Sequence, residues 1–509
     1  MDYLMGIDIG TTGCKATLFD LQLNPCGTGY RSYEIISPKA GWAEEDPDEW
    51  WLGMAQAVRD SLDRYSPDRD RILAAAVSCT NGLVPMDKEG NCLSNAIMQI
   101  DGRTDAEADF IASAAGKDEI FAVTGNRVAP GTFSAPIIVW FKRHRPEIYQ
   151  STWKFLAPGG FIVQRLTGRF TMDYTRASTT LLFDIRKKEW SERLCGQIGV
   201  DIEKLPDPVA SETVVGTVTK EAALFTGLPE GIPVAAGAMD TVAAAIGIGC
   251  VEADSPLLIV GTVARLCIPM KDAAFDRTFL NAAFTSETPY IAMAPTNGGG
   301  ISLKWFLNAF CESEGRAADR LQINPYGLLD AEALRAPPGS EGIIYLPYIA
   351  GERSPIWDPH ARGVFFGISC SHKKCHFIRA IMEGIAYATR QNMEIYERVM
   401  RNSCDNIVAC GGGIRSEAWR MIFADILGKT IAMPRSAESE TKGGAYIAGM
   451  AAGVYSSYRE AKKLASPVAS VSPAQASRQK YDALFEVYKS LYQSLKEDYR
   501  KLNGALNAR

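Results

Sequence analysis

Two α/β domains are what this sequence predicts, on three observations. The chain runs to 509 residues, more than one hydrophobic core accommodates, so at least two domains are expected. Apolar and β-branched runs alternate with helical stretches, the pattern of α/β architecture. A strand that ends in a glycine-rich turn stands in each half: Leu4 to Ile9 before Gly10, and Leu257 to Val260 before Gly261. The segment Gly247 to Ser255 separates these two units, which puts the expected boundary between residues 1–250 and 251–509.

Composition narrows the function classes. Hydrophobic residues at 47% and charged residues at 22% describe an ordinary folded protein. A net charge of −5 argues against nucleic acid as partner, because phosphate contacts need a concentrated basic surface. No apolar run has the length of a membrane span. The opening Met1-Asp2-Tyr3-Leu4-Met5-Gly6 lacks the basic and apolar regions of a secretory signal, so a cytoplasmic protein is expected. The twelve cysteines include no CxxC pair, which suits reduced, buried thiols. Cys370, His372, Cys375 and His376 could suggest zinc, but they stand at the start of a predicted helix, Ser371 to Arg390, without a second spaced ligand pair.

The residues that bear chemistry fall into elements along the chain. The first is Gly6-Ile7-Asp8-Ile9-Gly10-Thr11-Thr12-Gly13-Cys14-Lys15. Glycines let backbone N–H groups approach an anion, Thr11 and Thr12 add hydroxyls, and Lys15 adds a cation. Asp8, at a strand end, can serve Mg²⁺. A plain β-hairpin with a polar turn fits the same residues. The second is Asp240, between a strand, Pro233 to Ala236, and a small-residue helix, Thr241 to Ile246. A helix N-cap and a general base for an attacking hydroxyl are both compatible with it. The third runs Ile407 to Cys410 into Gly411, Gly412 and Gly413, then Ser416 and Trp419, where glycines opening a helix could face an adenosine or simply turn the chain. A fourth, Gly351-Glu352-Arg353-Ser354-Pro355-Ile356-Trp357-Asp358, continues to Ala361-Arg362-Gly363. Last comes an amphipathic helix with Tyr481, Leu484, Phe485, Tyr488, Leu491, Tyr492, Leu495, Tyr499 and Leu502 on one stripe, expected to dock on its own domain.

Taken in order, these elements resemble the FGGY carbohydrate kinases. The family's DxGTT start, its xDxxAAA base motif, its GERxPxxDxxARGxFFG stretch and its late GGGxxSxxW all have counterparts here, and so does its GWxExDP segment, at Gly41 to Pro47. The resemblance spans roughly residues 3 to 455 and rests on the agreement of independent elements. It implies the actin-like ATPase fold, two α/β domains with ribonuclease H-like cores about a cleft. It also implies Asp240 as catalytic base and Asp8 as the metal residue. Gly10, Thr11, Thr12, Lys15, Thr262, Gly300, Gly412, Gly413 and Ser416 are the implied ATP-binding set. Mg²⁺ with ATP as co-substrate completes it.

On the sugar side the implied residues are Thr80, Asn81, Asp101, Arg103, Asp240 and Thr241. The chain departs from the family here. Xylulose-type members carry SGQMHG where this chain has Ser78-Cys79-Thr80-Asn81-Gly82, and Ile137 stands where the first family signature usually has Lys. Trp357 is closer to gluconate-type members. The expected reaction moves the ATP γ-phosphoryl group to an open-chain sugar, a ketopentose such as xylulose first, with gluconate or a sugar alcohol as alternatives. An actin- or chaperone-like nucleotide switch shares only the first loop, and a dead sugar sensor would keep the pocket without turnover. The expected partners are sugar and ATP, with neither nucleic acid nor membrane. A homodimer is left open.

Overall fold

A computed structural model describes residues 1–129, 131–253, 255–401, 403–434, 438–465 and 467–507. Strand β1 (Tyr3–Ile9) is buried at almost every position, as a central strand covered on both faces must be. It pairs antiparallel with β2 (Gly13–Asp20), which pairs with β3 (Pro25–Ser32). On its other side lies β4 (Ile72–Cys79), parallel, then β6 (Pro233–Met239), parallel, with β5 (Val214–Thr217) antiparallel at the edge. Helix α1 (Pro47–Tyr65), with Asp46 as N-cap and Pro47 in its first turn, packs on β2 and β3.

The second half repeats this plan. Strand β7 (Leu257–Val260) pairs antiparallel with β8 (Ala264–Met270), and β9 (Leu280–Ala283) and β10 (Tyr290–Pro295) extend that side. Beyond β7 lie β11 (Asn406–Cys410) and β12 (Thr430–Pro434), parallel, then β13 (Pro467–Val471), antiparallel. In both sheets a hairpin arm is followed by two parallel strands and an antiparallel edge. The two glycine turns, Gly10–Thr12 and Gly261–Val263, therefore occupy matching positions at the ends of β1 and β7. This is the duplicated topology of the actin-like ATPase fold.

The halves are welded through helices. Helix α2 (Asp240–Gly247) follows β6 directly. Helix α6 (Ser439–Ala451) comes late in the chain yet packs on β1, β4 and α2 of the first half. The contact is backbone to backbone: a Cβ on Gly6 would lie 1.8 Å from the Thr441 carbonyl oxygen, and one on Gly443 would lie 1.8 Å from that of Ala243. One buried cluster draws Leu4, Val242, Leu257, Met293, Ala445 and Tyr446 from both halves. Polar contacts add to it, with Asn126 Nδ2 donating to the Asn281 carbonyl at 2.8 Å and Asn281 N–H returning to Asn126 Oδ1 at 2.8 Å.

Some expectations need adjustment. The helix predicted from Ser371 runs instead as α4 (Lys374–Met400). His376 caps it, its Nδ1 accepting from Lys373 N–H at 2.9 Å, and His372, in the turn before the helix, accepts from Ser369 N–H at 2.8 Å. No group of three or more His, Cys, Asp or Glu among the described residues could hold a metal. No described helix is long and apolar enough to cross a membrane. The last helix, α7 (Gln475–Asn507), docks on the second half, although Leu502 lies exposed rather than on the buried stripe.

The docking of α7 centres on Glu383 of α4, buried, which accepts from Arg379 Nε at 2.8 Å, Tyr481 Oη at 2.8 Å, Gly339 N–H at 2.9 Å and Ser340 Oγ at 2.9 Å. Removing the carboxylate leaves the buried Arg379 uncompensated. Glu383→Ala should cost about 3–5 kcal/mol in denaturant unfolding, and Tyr481→Phe about 1 kcal/mol. Gly443→Ala should cost about 1–3 kcal/mol, because its methyl group meets backbone that does not yield. A Gly443→Ala protein with unchanged unfolding midpoint would show that α6 has slack against α2.

Candidate functional site

Three parallel strands end together. The register sets Asp8 of β1 beside Ser78 of β4, and Ser78 beside Ala238 of β6. Asp240 follows one residue after β6 and Thr80 one residue after β4, so both project beyond the carboxyl ends of the sheet. Open α/β sheets bind ligands at such ends.

Asp240 is the first residue of α2, with Met239 rather than Asp240 as N-cap. Its Oδ1 accepts from Thr241 N–H at 2.5 Å and from Thr241 Oγ1 at 3.0 Å, and Arg176 Nη2 lies 3.8 Å away. Among the described residues no hydrogen bond ends on Oδ2. The side chain keeps 34% of its surface exposed, so a free carboxylate oxygen faces solvent. Arg176, from the short helix Tyr174–Ala177, also donates to the Cys79 carbonyl. Arg265 of β8 donates to Thr241 Oγ1.

Asp8 accepts from Ser78 Oγ at 2.7 Å through Oδ1. Burial, then the charge of Glu440 on α6, push its carboxyl up to about 8. Burial likewise raises Glu440. Two desolvated carboxylates beside a glycine turn are a place that favours a cation. Lys15 lies near them and pairs with Glu438 at 3.0 Å. In the turn itself, Gly10 N–H is taken by the Gly13 carbonyl at 3.0 Å, and Thr11 Oγ1 meets Thr80 Oγ1 at 3.1 Å. Thr12 is exposed.

The second turn is built alike. Gly261 N–H is bonded to the Val263 carbonyl at 3.0 Å. Helix α3 (Gly300–Phe310) begins against it, with Gly300 N–H donating to the Gly261 carbonyl and Ile301 N–H to that of Thr262, both at 2.9 Å. A Cβ on Gly300 would lie 2.8 Å from the Gly261 carbonyl oxygen, so only glycine lets the helix start there. Thr262 is exposed at the turn. Gly412 and Gly413 do not open a helix directly. They form a single 3₁₀ turn, Gly412–Arg415, and α5 (Glu417–Leu427) starts after it with Ser416 Oγ accepting from Trp419 N–H at 3.0 Å. Gly413 packs against Val260 at the end of β7, which brings this turn beside Gly261.

Sugar-side expectations divide. Asn81 donates through Nδ2 to the Thr132 carbonyl at 2.8 Å, which leaves Oδ1 without a partner among the described residues. Thr80 accepts from Gln99 Nε2 at 3.3 Å. Asp101 and Arg103 bind each other. Arg103 Nε and Nη2 bind Asp101 at 2.8 and 2.7 Å, Nη2 also reaches Glu44 at 2.8 Å, and the guanidinium lies 3.6 Å from the Trp42 ring centre. Asp101 also accepts from Ala43 N–H at 2.6 Å. The pair thus clamps the Gly41–Pro47 segment. Sequence reasoning missed Arg176, Arg265, Gln99 and Glu440, which belong to no motif and arrive only by folding.

Comparison with known proteins agrees with this fold. Residues 3–247 match the FGGY family of carbohydrate kinases, N-terminal domain, and residues 257–452 match the FGGY family of carbohydrate kinases, C-terminal domain. The chain is 31% identical to the xylulose kinase of Bacillus subtilis (strain 168), covering 100% of this chain and 99% of that one. It is 28% identical to the gluconokinase of Bacillus licheniformis, covering 98% and 97%. Among solved structures, the xylulose kinase from Rhodospirillum rubrum superposes with a TM-score of 0.90 at 26% identity, covering 98% of this chain and 100% of that one.

A further buried carboxylate lies in the loop at Gly351–Asp358. Glu352 Oε1 accepts from Asn297 N–H at 2.5 Å and Arg353 N–H at 2.8 Å, while Oε2 has no partner among the described residues. Burial pushes Glu352 up to about 8 from a usual value of 4.5. Between these values the folded chain holds a proton that the unfolded chain releases, so this group's contribution to stability falls as pH rises from 4.5 to about 8. Glu352→Gln should match the wild-type melting temperature near pH 5 and exceed it near pH 9. Parallel melting curves for both proteins across that range would contradict the assignment.

Proposed function

The chain belongs to the FGGY family of carbohydrate kinases, and on that premise we propose that its acceptor is an open-chain ketopentose such as xylulose. The enzyme is an ATP-dependent carbohydrate kinase. The observation that carries the site assignment is the Asp240 carboxylate, with Oδ1 held from three directions and Oδ2 open beside the phosphate turns.

In this reading the acceptor hydroxyl donates to Asp240 Oδ2. The base takes the proton as the hydroxyl oxygen bonds to the γ-phosphorus, and the bond from that phosphorus to the bridging oxygen breaks, leaving ADP. Gly10, Thr11, Thr12 and Lys15 hold phosphates from one side, Thr262 and Gly300 from the other, and Gly412, Gly413 and Ser416 line the adenosine. Asp8, with Glu440 beside it, would hold Mg²⁺ through water. When bound, that ion supplies charge neutralisation at the phosphates. Thr80 and Asn81 orient the sugar, and Asp101 and Arg103 support them by fixing the neighbouring segment. Residues 1–250 carry the sugar side and the first phosphate turn, and residues 251–509 the nucleotide. A cytoplasmic location fits an enzyme that consumes ATP.

Gluconate is the second reading, and one observation favours it. The Arg127 guanidinium stands 4.8 Å from the Trp357 ring centre without an ion pair among the described residues. A half-buried cation of this kind suits a carboxylate.

Purified protein with Mg·ATP and a panel of D-xylulose, gluconate and sugar alcohols, read by ADP release, tests the assignment. D-xylulose should show the highest kcat/KM. A gluconate preference abolished by Arg127→Met would select the second reading instead. Asp240→Asn should lower kcat by about 10²–10⁴-fold with nucleotide affinity little changed. Asp8→Ala should lose turnover across a magnesium titration while the fold survives. Asn81→Ala should raise KM for the sugar far more than for ATP.

A further inference from the structure

Arg265 belongs to the second half and yet touches the machinery of the first. It is the second residue of β8, just past the turn Gly261–Val263, and faces Ile259 of β7 and Pro295 of β10 in register. Its Nη1 donates to Thr241 Oγ1. It has no ion pair among the described residues, and its charge bears on a second cation, Arg353. Burial, then Arg265, hold the Arg353 guanidinium down to about 10. An unpaired arginine beside a second one is unfavourable for folding alone, so its placement calls for a different account.

Thr241 provides it. A hydroxyl has one proton to give and lone pairs to receive. Thr241 Oγ1 gives its proton to Asp240 Oδ1 at 3.0 Å and receives from Arg265. The chain Arg265, Thr241, Asp240 is charged at both ends, the stronger form of hydrogen bonding. We propose that Arg265 is a positioning residue for the base: it reaches across from the second sheet and, through the Thr241 hydroxyl, holds the Asp240 carboxylate with Oδ2 toward the acceptor. The carboxylate is then correctly aimed only while the halves are apposed, and the strand that aims it leads directly from the second phosphate turn. Other charged or titratable groups face Asp240 from Arg176, from Asp8 on β1, from Glu440 on α6, and from Cys79 and Cys267. Of these, none touches Thr241 among the described residues.

This inference rests on Asp240 being the base, so the experiment separates the two claims. Steady-state kinetics with Mg·ATP and the best acceptor would compare Arg265→Met, Thr241→Val, Thr241→Ser, the double variant Arg265→Met/Thr241→Val, and Asp240→Asn, with ADP binding measured by calorimetry. Arg265→Met and Thr241→Val should each lower kcat by about 10- to 100-fold, the scale of misaligned catalytic groups, with the ATP KM and the ADP affinity nearly unchanged. The double variant should be no slower than the slower single one, because both break one chain. Thr241→Ser should recover most of the lost turnover. Additive losses, a Thr241→Ser enzyme as slow as Thr241→Val, or a loss confined to ADP affinity would each overturn the proposal. An Asp240→Asn enzyme with normal turnover would instead remove the base itself. An inactive Asp240→Asn with normal Arg265→Met and Thr241→Val would remove only the relay.

Discussion

Everything at the centre of this molecule depends on how closely α6 approaches β1 and α2. Glycines at 6, 247 and 443 let backbone meet backbone, and any Cβ there would collide with a carbonyl. The gain is dispersion contact and exclusion of water across a seam that joins the two halves. The consequence is electrostatic. The start of α6 carries Glu440 in beside Asp8, and the N-cap residue Glu438 to Lys15, although 432 and 423 residues of chain separate them.

That seam makes the site a place of unbalanced charge. Asp8 and Glu440 are desolvated together, and Asp8 is raised in response. At Asp240 two guanidiniums approach from different elements, Arg176 directly and Arg265 through Thr241. Carboxylates that favour a cation and guanidiniums that favour an anion thus meet around Asp240. In the proposed reading a metal-bound polyphosphate would answer both demands. The two glycine turns stand on either side of this region because the sheet topology is duplicated, not because their local sequences are alike.

Much of the fold was legible beforehand. Leu257–Val260 was read to the residue, and β1, β6 and α2 to within a few residues, because apolar runs bounded by glycine report local geometry directly. Where reading went astray, a cap decided. Nothing in the run after Cys410 says whether Gly412 or Ser416 begins the helix, but Ser416 Oγ meeting the Trp419 N–H settles it. The start of α4 moved for the same reason, through His376 and Lys373.

The sequence by itself determined the two-fold α/β plan, the glycine turns and the presence of Asp8 and Asp240 at strand ends, since each follows from residue types within a few positions of one another. Only the tertiary structure decided what surrounds them. Arg176 and Arg265 come to Asp240 and Thr241 from 64 and 24 residues away, and Glu440 to Asp8 from 432. Asp101 and Arg103, two positions apart and opposite in charge, pair with each other against Trp42, a contact that neither residue's neighbours announce. Short-range patterns encode where a strand ends; which charges face that end depends on packing between distant segments, whose contacts leave no periodic trace in either segment alone.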